Sequence, residues 1–358
     1  MQHRRKRHTF RNTILIIILL LLVGGAAYGM TRYRNIKSSV NSSFKAAGLT
    51  KERDVNGQLK GKKPISILLL GTDTGALGRS YKGRTDSMMV ITINPSTNKT
   101  AITSIPRDTA VSIPGFKDAA PSKINAAYAW GQAKTTITTV QDMLNVPVDF
   151  YALINMGGME KVIDKVGGVD VTPTLSFKYE GITFTKGVQT HMNGKKALAY
   201  SRMRYDDPQG DYGRQTRQRT VLMALVKKSG SISTLLNQSF INSLSKQVQT
   251  DLTFDDLTAI AKDYRSATGT IKQTHLQGTG KTINGQSLEV MKKSELQRVT
   301  NFIRNGLSLS YKNTGKIALA SAFETKKASS SSSDSTSTYT DSSTTDNSGY
   351  SNGGGYGY

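Results

Sequence analysis

The chain has no cysteine. It therefore holds no disulfide and no thiolate metal site. Its four histidines, His3, His8, His191 and His275, are scattered along the sequence, which argues against a zinc centre. Negative charge is scarce as well. Against 48 basic residues stand 25 acidic ones, and the net charge of +23 favours anionic partners without saying which. No long internal repeat is present. Hydrophobic residues avoid both ends of the 358-residue chain apart from one dense run, which leaves one middle part large enough for a proper core. From about Lys326 onward the composition falls to Ser, Thr, Asp, Gly and Tyr, so residues 326–358 are expected to form a disordered tail.

The dense run lies near the N-terminus. Arg4, Arg5, Lys6, Arg7 and Arg11 precede an uncharged stretch over 13–31 whose centre is almost wholly aliphatic. Gly24-Gly25-Ala26-Ala27 could end a cleavable signal peptide, but the apolar region exceeds a typical signal core and no clean A-x-A site follows. A single transmembrane signal anchor over 13–31 is the expectation, with 1–12 cytoplasmic and everything after Met30 outside the cell membrane. The polar stretch 32–63 reads as an extracellular stalk.

Beyond it, apolar runs alternate with helical spacing. Residues 65–70, 88–93, 100–105, 150–154, 169–171 and 271–276 suit strands, and Asn94-Pro95-Ser96 supplies a turn. Residues 182–184 and 187–189 suggest a hairpin. Helical patterns fall at 126–130, 137–144, 159–166, 194–200, 222–226, 235–244, 257–264 and 295–307. The alternation indicates a layered α/β domain.

The charged residues concentrate at 200–220. Arg202, Arg204, Arg214, Arg217 and Arg219 surround Asp206, Asp207 and Asp211, with Pro208-Gln209-Gly210 as a central turn. Arg202 and Arg204 would share a face if the segment before the turn is extended. After the turn, Arg214, Gln218, Val221 and Leu225 fall on one helical stripe, so a polar pair heads a line that later becomes apolar. Such a stripe suits a polar pocket for a polyanion; the alternative is a solvated basic helix face.

Two aspartates lie at strand ends: Asp73 after the first strand and Asp86 before the second. Arg84 and Arg107 are positioned to join the same patch. One or two carboxylates suffice for magnesium when phosphate oxygens and water complete its shell, so Asp73 and Asp86 are the expected metal ligands if the substrate is a phosphate. The bland alternative is a set of turn aspartates and surface ion pairs. Gly278-Thr279-Gly280-Lys281-Thr282 resembles the end of a P-loop, but His275 replaces its first glycine and Asn284-Gly285 predicts a turn where a helix should begin. The tail segment Gly349-Tyr350-Ser351-Asn352-Gly353 matches a hydrolase nucleophile pattern without a flanking strand or helix.

The segments L-L-L-G-T-D, G-R-T-D-S-M-M-V, S-I-P-R-D-T, K-I-N-A-A-Y, G-G-V-D-V, M-N-G-K-K-A-L-A-Y-S-R-M-R and G-D-Y-G-R-Q-T-R-Q-R occur in that order. They resemble the successive motifs of the LytR-CpsA-Psr family of bacterial cell-wall enzymes, and the resemblance sets a catalytic domain over 64–310. It implies a mixed β-sheet sandwiched between helical layers, with a hydrophobic pocket for a lipid. The implied activity is that of a phosphotransferase. It moves an anionic glycopolymer, a teichoic acid or capsular polysaccharide, from undecaprenyl pyrophosphate to the C6 hydroxyl of peptidoglycan N-acetylmuramic acid. Carried over by position, Asp73 and Asp86 match magnesium ligands. Arg84, Arg107, Arg202, Arg204, Arg214 and Gln218 match pyrophosphate contacts, and Asp211 matches an acidic position near the reacting phosphate. Asp211, Asp86 and Arg84 form the expected catalytic set.

Phosphoryl transfer asks for positioning and charge neutralisation more than for a covalent catalyst. With no histidine within the motifs, the acceptor proton falls to a carboxylate, Asp211 or Asp86. The alternative function is a non-catalytic, membrane-anchored protein that binds wall polymer or regulates. That reading explains the arginines but not the Asp73 and Asp86 pair, which would repel a polyanion unless a cation sat between them. No nucleic-acid partner is expected, because the basic domain follows a membrane span and no helix-turn-helix arrangement is present.

Overall fold

A run of aliphatic residues with no polar face needs cover on both sides, and the central strand receives it. In a computed structural model, which describes residues 37–38, 41, 43–72, 83–228 and 248–315, β1 (Ile65–Thr72) lies inside a six-stranded sheet. Its neighbours are β2 (Thr85–Asn94), antiparallel, and β6 (Phe150–Asn155), parallel. Beyond β2 come β3 (Lys99–Ser104) and then β12 (Thr270–His275), which runs parallel to β3; β11 (Val248–Thr250) closes the other edge against β6. The sheet is mixed.

Alternation along β1 and β2 decides which layer each side chain meets. Leu68, Leu70, Met88 and Val90 pack against α2 (Ala126–Leu144) and α7 (Lys293–Gly306). Ile65, Ile67, Met89 and Ile91 pack on the opposite face against α1 (Val55–Lys60), α5 (Asp211–Lys228) and α6 (Phe254–Asp263). Each such buried side chain contributes on the order of 1.5–3 kcal/mol. Helices thus cover both faces, as the family resemblance implies.

A second apolar cluster forms beyond β6. There α3 (Met156–Lys165) and α4 (Gly194–Arg202) pack with β7 (Val169–Val171), β8 (Phe177–Tyr179), β9 (Ile182–Phe184) and β10 (Thr190–Met192). Asn155 caps α3 by accepting from the Gly158 N–H at 2.7 Å. The hairpin expected from 182–184 and 187–189 is instead β8 with β9, turned by Glu180 and Gly181 at φ 48° and 77°; β10 pairs with β7. The P-loop look-alike is a strand, β13 (Thr279–Ile283), paired with β14 (Gln286–Val290), and no helix follows it.

From Ser43 onward the polar stretch 32–63 packs on the domain and is not a stalk. Leu59 of α1 is buried against Ile65, Phe254 and Leu257, and Phe44 bridges to Thr250. Arg53 Nε donates to Asp149 Oδ1 at 2.9 Å, and Asp149, only 1% exposed, also accepts from the Ser66 N–H at 2.7 Å. What reads as stalk polarity is partly the counter-charge of a buried aspartate. The segment 1–12, the span expected over 13–31, the helix expected at 235–244, the tail 326–358 and Asp73 lie outside the described residues. Among the described residues, no helix is long and apolar enough to cross a membrane.

Candidate active site

The first turn of α5 is built around a carboxylate. Pro208-Gln209-Gly210 turns the chain, with Gly210 at φ 52° and its N–H donating to Asp207 O at 2.8 Å. Asp211 then opens the helix, where an acid complements the helix dipole. Its Oδ1 accepts from Arg214 Nε at 3.0 Å and its Oδ2 from Gln215 Nε2 at 2.8 Å. Arg214 Nη2 lies 2.7 Å from the same Oδ1 but off the hydrogen-bonding angle, so the contact is electrostatic and that buried nitrogen has no hydrogen-bond acceptor. Gly213 is a glycine for room: a Cβ there would fall 1.8 Å from Asp207 Oδ2, the oxygen that takes Arg217 Nη1.

Arg107 stands across from this turn. Its Nη1 donates to Asp86 Oδ1, and its Nε faces Asp108 at 3.7 Å. Burial works against the Arg107 charge, but the bond to Asp86 and the charges of Asp86, Asp108 and Asp211 outweigh it and raise its pKa. Asp86, Arg107, Asp211 and Arg214 therefore form one electrostatic cluster fed by β2, the segment after β3, and α5.

Beside the cluster opens a cleft of about 690 Å³, a figure that includes the open solvent at its mouth. Leu69, Met89, Ile154, Met156, Met159, Leu198, Val221 and Leu222 give it apolar walls, and Asp86, Arg202 and Gln218 give it a polar end. Gln218 Oε1 is buried there without a hydrogen-bond partner. A cavity with mostly apolar walls and a few charged and polar groups suits a ligand built the same way.

The expected residues divide accordingly. Arg214 is buried, and Gln218 and Val221 continue its stripe into the cleft. Arg202 and Arg204 do not share a face of an extended segment, because Arg202 is still helical, the last residue of α4. Arg202 lines the cleft and donates to Glu180 at 3.0 Å, whereas Arg204 lies over the Tyr205 ring at 5.4 Å. Arg84 is exposed at the entry to β2, and its carbonyl accepts from Thr72 Oγ1 at 3.2 Å.

Sequence reasoning counted Arg217 and Arg219 in the basic stretch but gave them no role; in the structure they brace α5. Arg217 is 3% exposed, donates to Asp207 and Met203 O, and lies over the Phe177 ring at 5.5 Å. Arg219, also buried, meets Ser104 Oγ at 2.8 Å and Thr216 Oγ1 at 3.0 Å. The three-residue step from Arg214 to Arg217 was the available signal, since i and i+3 share a helix face. Also missed was Tyr212, whose hydroxyl donates to Glu289 Oε1 at 2.6 Å and accepts from the Gly278 N–H at 2.8 Å. Burial, then the Glu289 bond, pushes the Tyr212 pKa up, so it stays a protonated strut holding the first turn of α5 to β14.

Comparison with known proteins places this geometry. The model of the LytR_cpsA_psr family matches residues 30–305, well over half of the chain. The chain belongs to the LytR-CpsA-Psr family. A relative from Enterococcus faecalis, named polyisoprenyl-teichoic acid--peptidoglycan teichoic acid transferase TagU, is 42% identical over 281 residues, 78% of this chain and 91% of its own length. The Bacillus subtilis protein of the same name is 39% identical over 307 residues, 86% of this chain and 98% of its own. Among solved structures, protein gbs0355 from Streptococcus agalactiae matches with a TM-score of 0.67 at 34% identity, covering 78% of this chain and 99% of that one. The mixed sheet and its helical layers are those of LytR-CpsA-Psr structures.

Proposed function

We propose that the chain is a phosphotransferase that moves an anionic glycopolymer from a polyisoprenyl pyrophosphate carrier to peptidoglycan. One observation carries the reading: an apolar cleft ends at Asp86, Arg202 and Gln218, next to the Arg107 and Arg214 guanidinium groups. An isoprenyl chain fills the apolar part, and the pyrophosphate meets the arginines, which suit bidentate phosphate recognition. The names of the relatives support the same substrates. The carrier is undecaprenyl pyrophosphate, the polymer a teichoic acid in the first instance, with capsular polysaccharide as the other candidate. The acceptor is the C6 hydroxyl of N-acetylmuramic acid.

In the transfer step the acceptor oxygen attacks the phosphorus that carries the polymer. A phosphodiester to peptidoglycan forms, the P–O–P bond breaks, and undecaprenyl phosphate leaves with the bonding electron pair. The acceptor proton passes to a carboxylate. Arg214 and Gln215 hold Asp211 in one orientation, which suits a base that must meet a hydroxyl at a defined point. Arg107 and Arg214 balance charge building on the phosphates, with Arg84 at the entry to β2 joining them.

Magnesium fits the donors present. Asp86 is half-buried at the polar end of the cleft with one oxygen taken by Arg107, and one carboxylate with phosphate and water oxygens is an ordinary magnesium set. Asp73, the proposed second ligand, directly follows Thr72, which pairs with Thr85 one residue from Asp86. Bound there, the ion would neutralise pyrophosphate charge. Among the described residues, which do not include Asp73, there is no group of three or more potential metal ligands.

The segment 13–31 anchors the chain in the cell membrane with the domain outside, where donor lipid and wall acceptor meet. A protein that only held polymer would have no use for an apolar cleft at its anion site. The test is to incubate the chain with a lipid-pyrophosphate glycan and peptidoglycan fragments. Glycan label in peptidoglycan and released polyprenyl phosphate are expected; donor binding without either product refutes the reading.

A further inference from the structure

Phe116 and Trp130 are large aromatic side chains left open to solvent, 38% and 39% exposed. They are each other's neighbours, with ring centroids 5.1 Å apart and planes tilted by 44°. Two elements bring them together. Phe116 lies in the loop between β4 (Ala110–Val111) and β5 (Ser122–Lys123), just after Gly115 at φ 84°. Trp130 comes at the end of the first helical stretch of α2, whose geometry then breaks at Gly131 and Gln132. Helix rotation turns Tyr128 inward, to 1% exposure, and Trp130 outward.

The break is costly. Gln132 has φ 55° and ψ −151°, a region that side chains with a Cβ rarely enter. Such conformations cost on the order of 1–3 kcal/mol and cluster at functional sites. Gly131 tolerates the break because it has no side chain: a Cβ there would fall 1.8 Å from Thr135 Oγ1.

The start of α2, the helix that carries Trp130, is tied to the backbone of Arg107, a member of the electrostatic cluster. The Asn125 N–H donates to the carbonyl of Arg107 at 3.2 Å, and the Ile124 N–H to Thr109 O at 2.9 Å. Trp130 is five residues further along, about 7.5 Å of helical rise. A chain molecule held at the aromatic pair can therefore present a group to the cluster.

The chemistry of the patch narrows its partner. Two rings expose apolar faces whose quadrupole attracts the positive edges of C–H groups, and pyranose rings and acetamido methyls offer those groups. The neighbouring exposed residues Lys117, Asp118 and Lys134 mix charge signs. A membrane-seeking surface would carry a broader apolar face and a basic polar face, and a polyanion would meet Asp118. We propose that Phe116 and Trp130 form the subsite that holds the acceptor glycan strand, by stacking on its N-acetylated sugars, while its hydroxyl reaches Asp211. The proposal rests on the transferase reading.

Trp130 is the chain's sole tryptophan, so its fluorescence reports on this patch alone. The full-length chain in detergent micelles is titrated with peptidoglycan glycan strands stripped of their stem peptides. A saturable change in Trp130 emission is expected, and Phe116→Ala should weaken the apparent affinity by roughly ten-fold, the scale of losing an aromatic anchor. In the transfer assay Trp130→Ala should raise the acceptor KM by a similar factor, shift kcat by less than about two-fold, and leave donor affinity unchanged, with Trp130→Phe recovering much of the loss. A fluorescence response to anionic vesicles but not to glycan would overturn the proposal, as would a response to protein concentration alone, no response, or an equal effect on donor affinity. The titration needs no turnover, so failure of the transferase reading would show as absent transfer beside intact glycan binding.

Discussion

Arg107 donates from Nη1 to Asp86 Oδ1 at the polar end of an apolar cleft. One cation and one anion of the site thus hold each other. The same holds for Arg214 with Asp211 and Arg202 with Glu180. A pyrophosphate entering the site must share or displace these carboxylates, and burial decides what each arginine then contributes.

Arg214→Ala should weaken binding of a lipid pyrophosphate by about 10- to 100-fold, because a hydrogen bond to a charged group contributes on the order of 1.5–3 kcal/mol when buried. Arg202→Ala should cost less, since that side chain is 40% exposed and already paired with Glu180, and exposed pairs are worth about 0–1 kcal/mol. Calorimetric titration with the donor lipid checks both. Equal affinities for wild type and both variants would place the arginines outside the binding site.

The cleft makes a separate claim. Met159 is half-buried on its wall, so Met159→Trp should fill apolar space while leaving the phosphate end untouched. Donor affinity should then fall for long isoprenyl chains and stay near wild type for a short-chain pyrophosphate. A loss independent of chain length would contradict the assignment of the cleft to the lipid.

The core of the fold was legible because its strands are apolar on both faces. Residues 65–70 suited a buried strand, and the turn at Asn94-Pro95-Ser96 marked the pairing of the next two strands, β2 and β3. The inward stripe Arg214, Gln218, Val221 and Leu225 was legible for the same reason, a regular spacing. Three things were not. The cleft is assembled from β1, β2, β6, α3, α4 and α5, and no local pattern encodes that convergence. The helical state of Arg202 depends on α4 running to the end of its capped segment, where alternation of two arginines suggested extension. Arg53 looked like stalk because its partner, Asp149, lies far along the sequence.

That last pair makes a stability prediction. Removing one partner of a buried ion pair costs about 3–5 kcal/mol because the other charge is left uncompensated. Asp149 keeps its bond from the Ser66 N–H, so Arg53→Ala should fall near the low end, about 3 kcal/mol. Denaturant unfolding should show a lower midpoint at an unchanged slope. A loss below about 0.5 kcal/mol, the level of an ordinary surface change, would return residues 43–63 to the role of a stalk.

The most direct test of the central claim joins the metal to the chemistry. Asp86→Asn keeps size and a coordinating oxygen but removes the negative charge that pairs with Arg107 and that would hold magnesium under the proposed function. Transfer of labelled glycan to peptidoglycan is measured for wild type and variant, with and without chelator, beside donor binding. Wild type should lose transfer when chelator is added, and the variant should lose it in both conditions while still binding donor. Full transfer by Asp86→Asn in the presence of chelator would contradict a magnesium-assisted phosphotransferase.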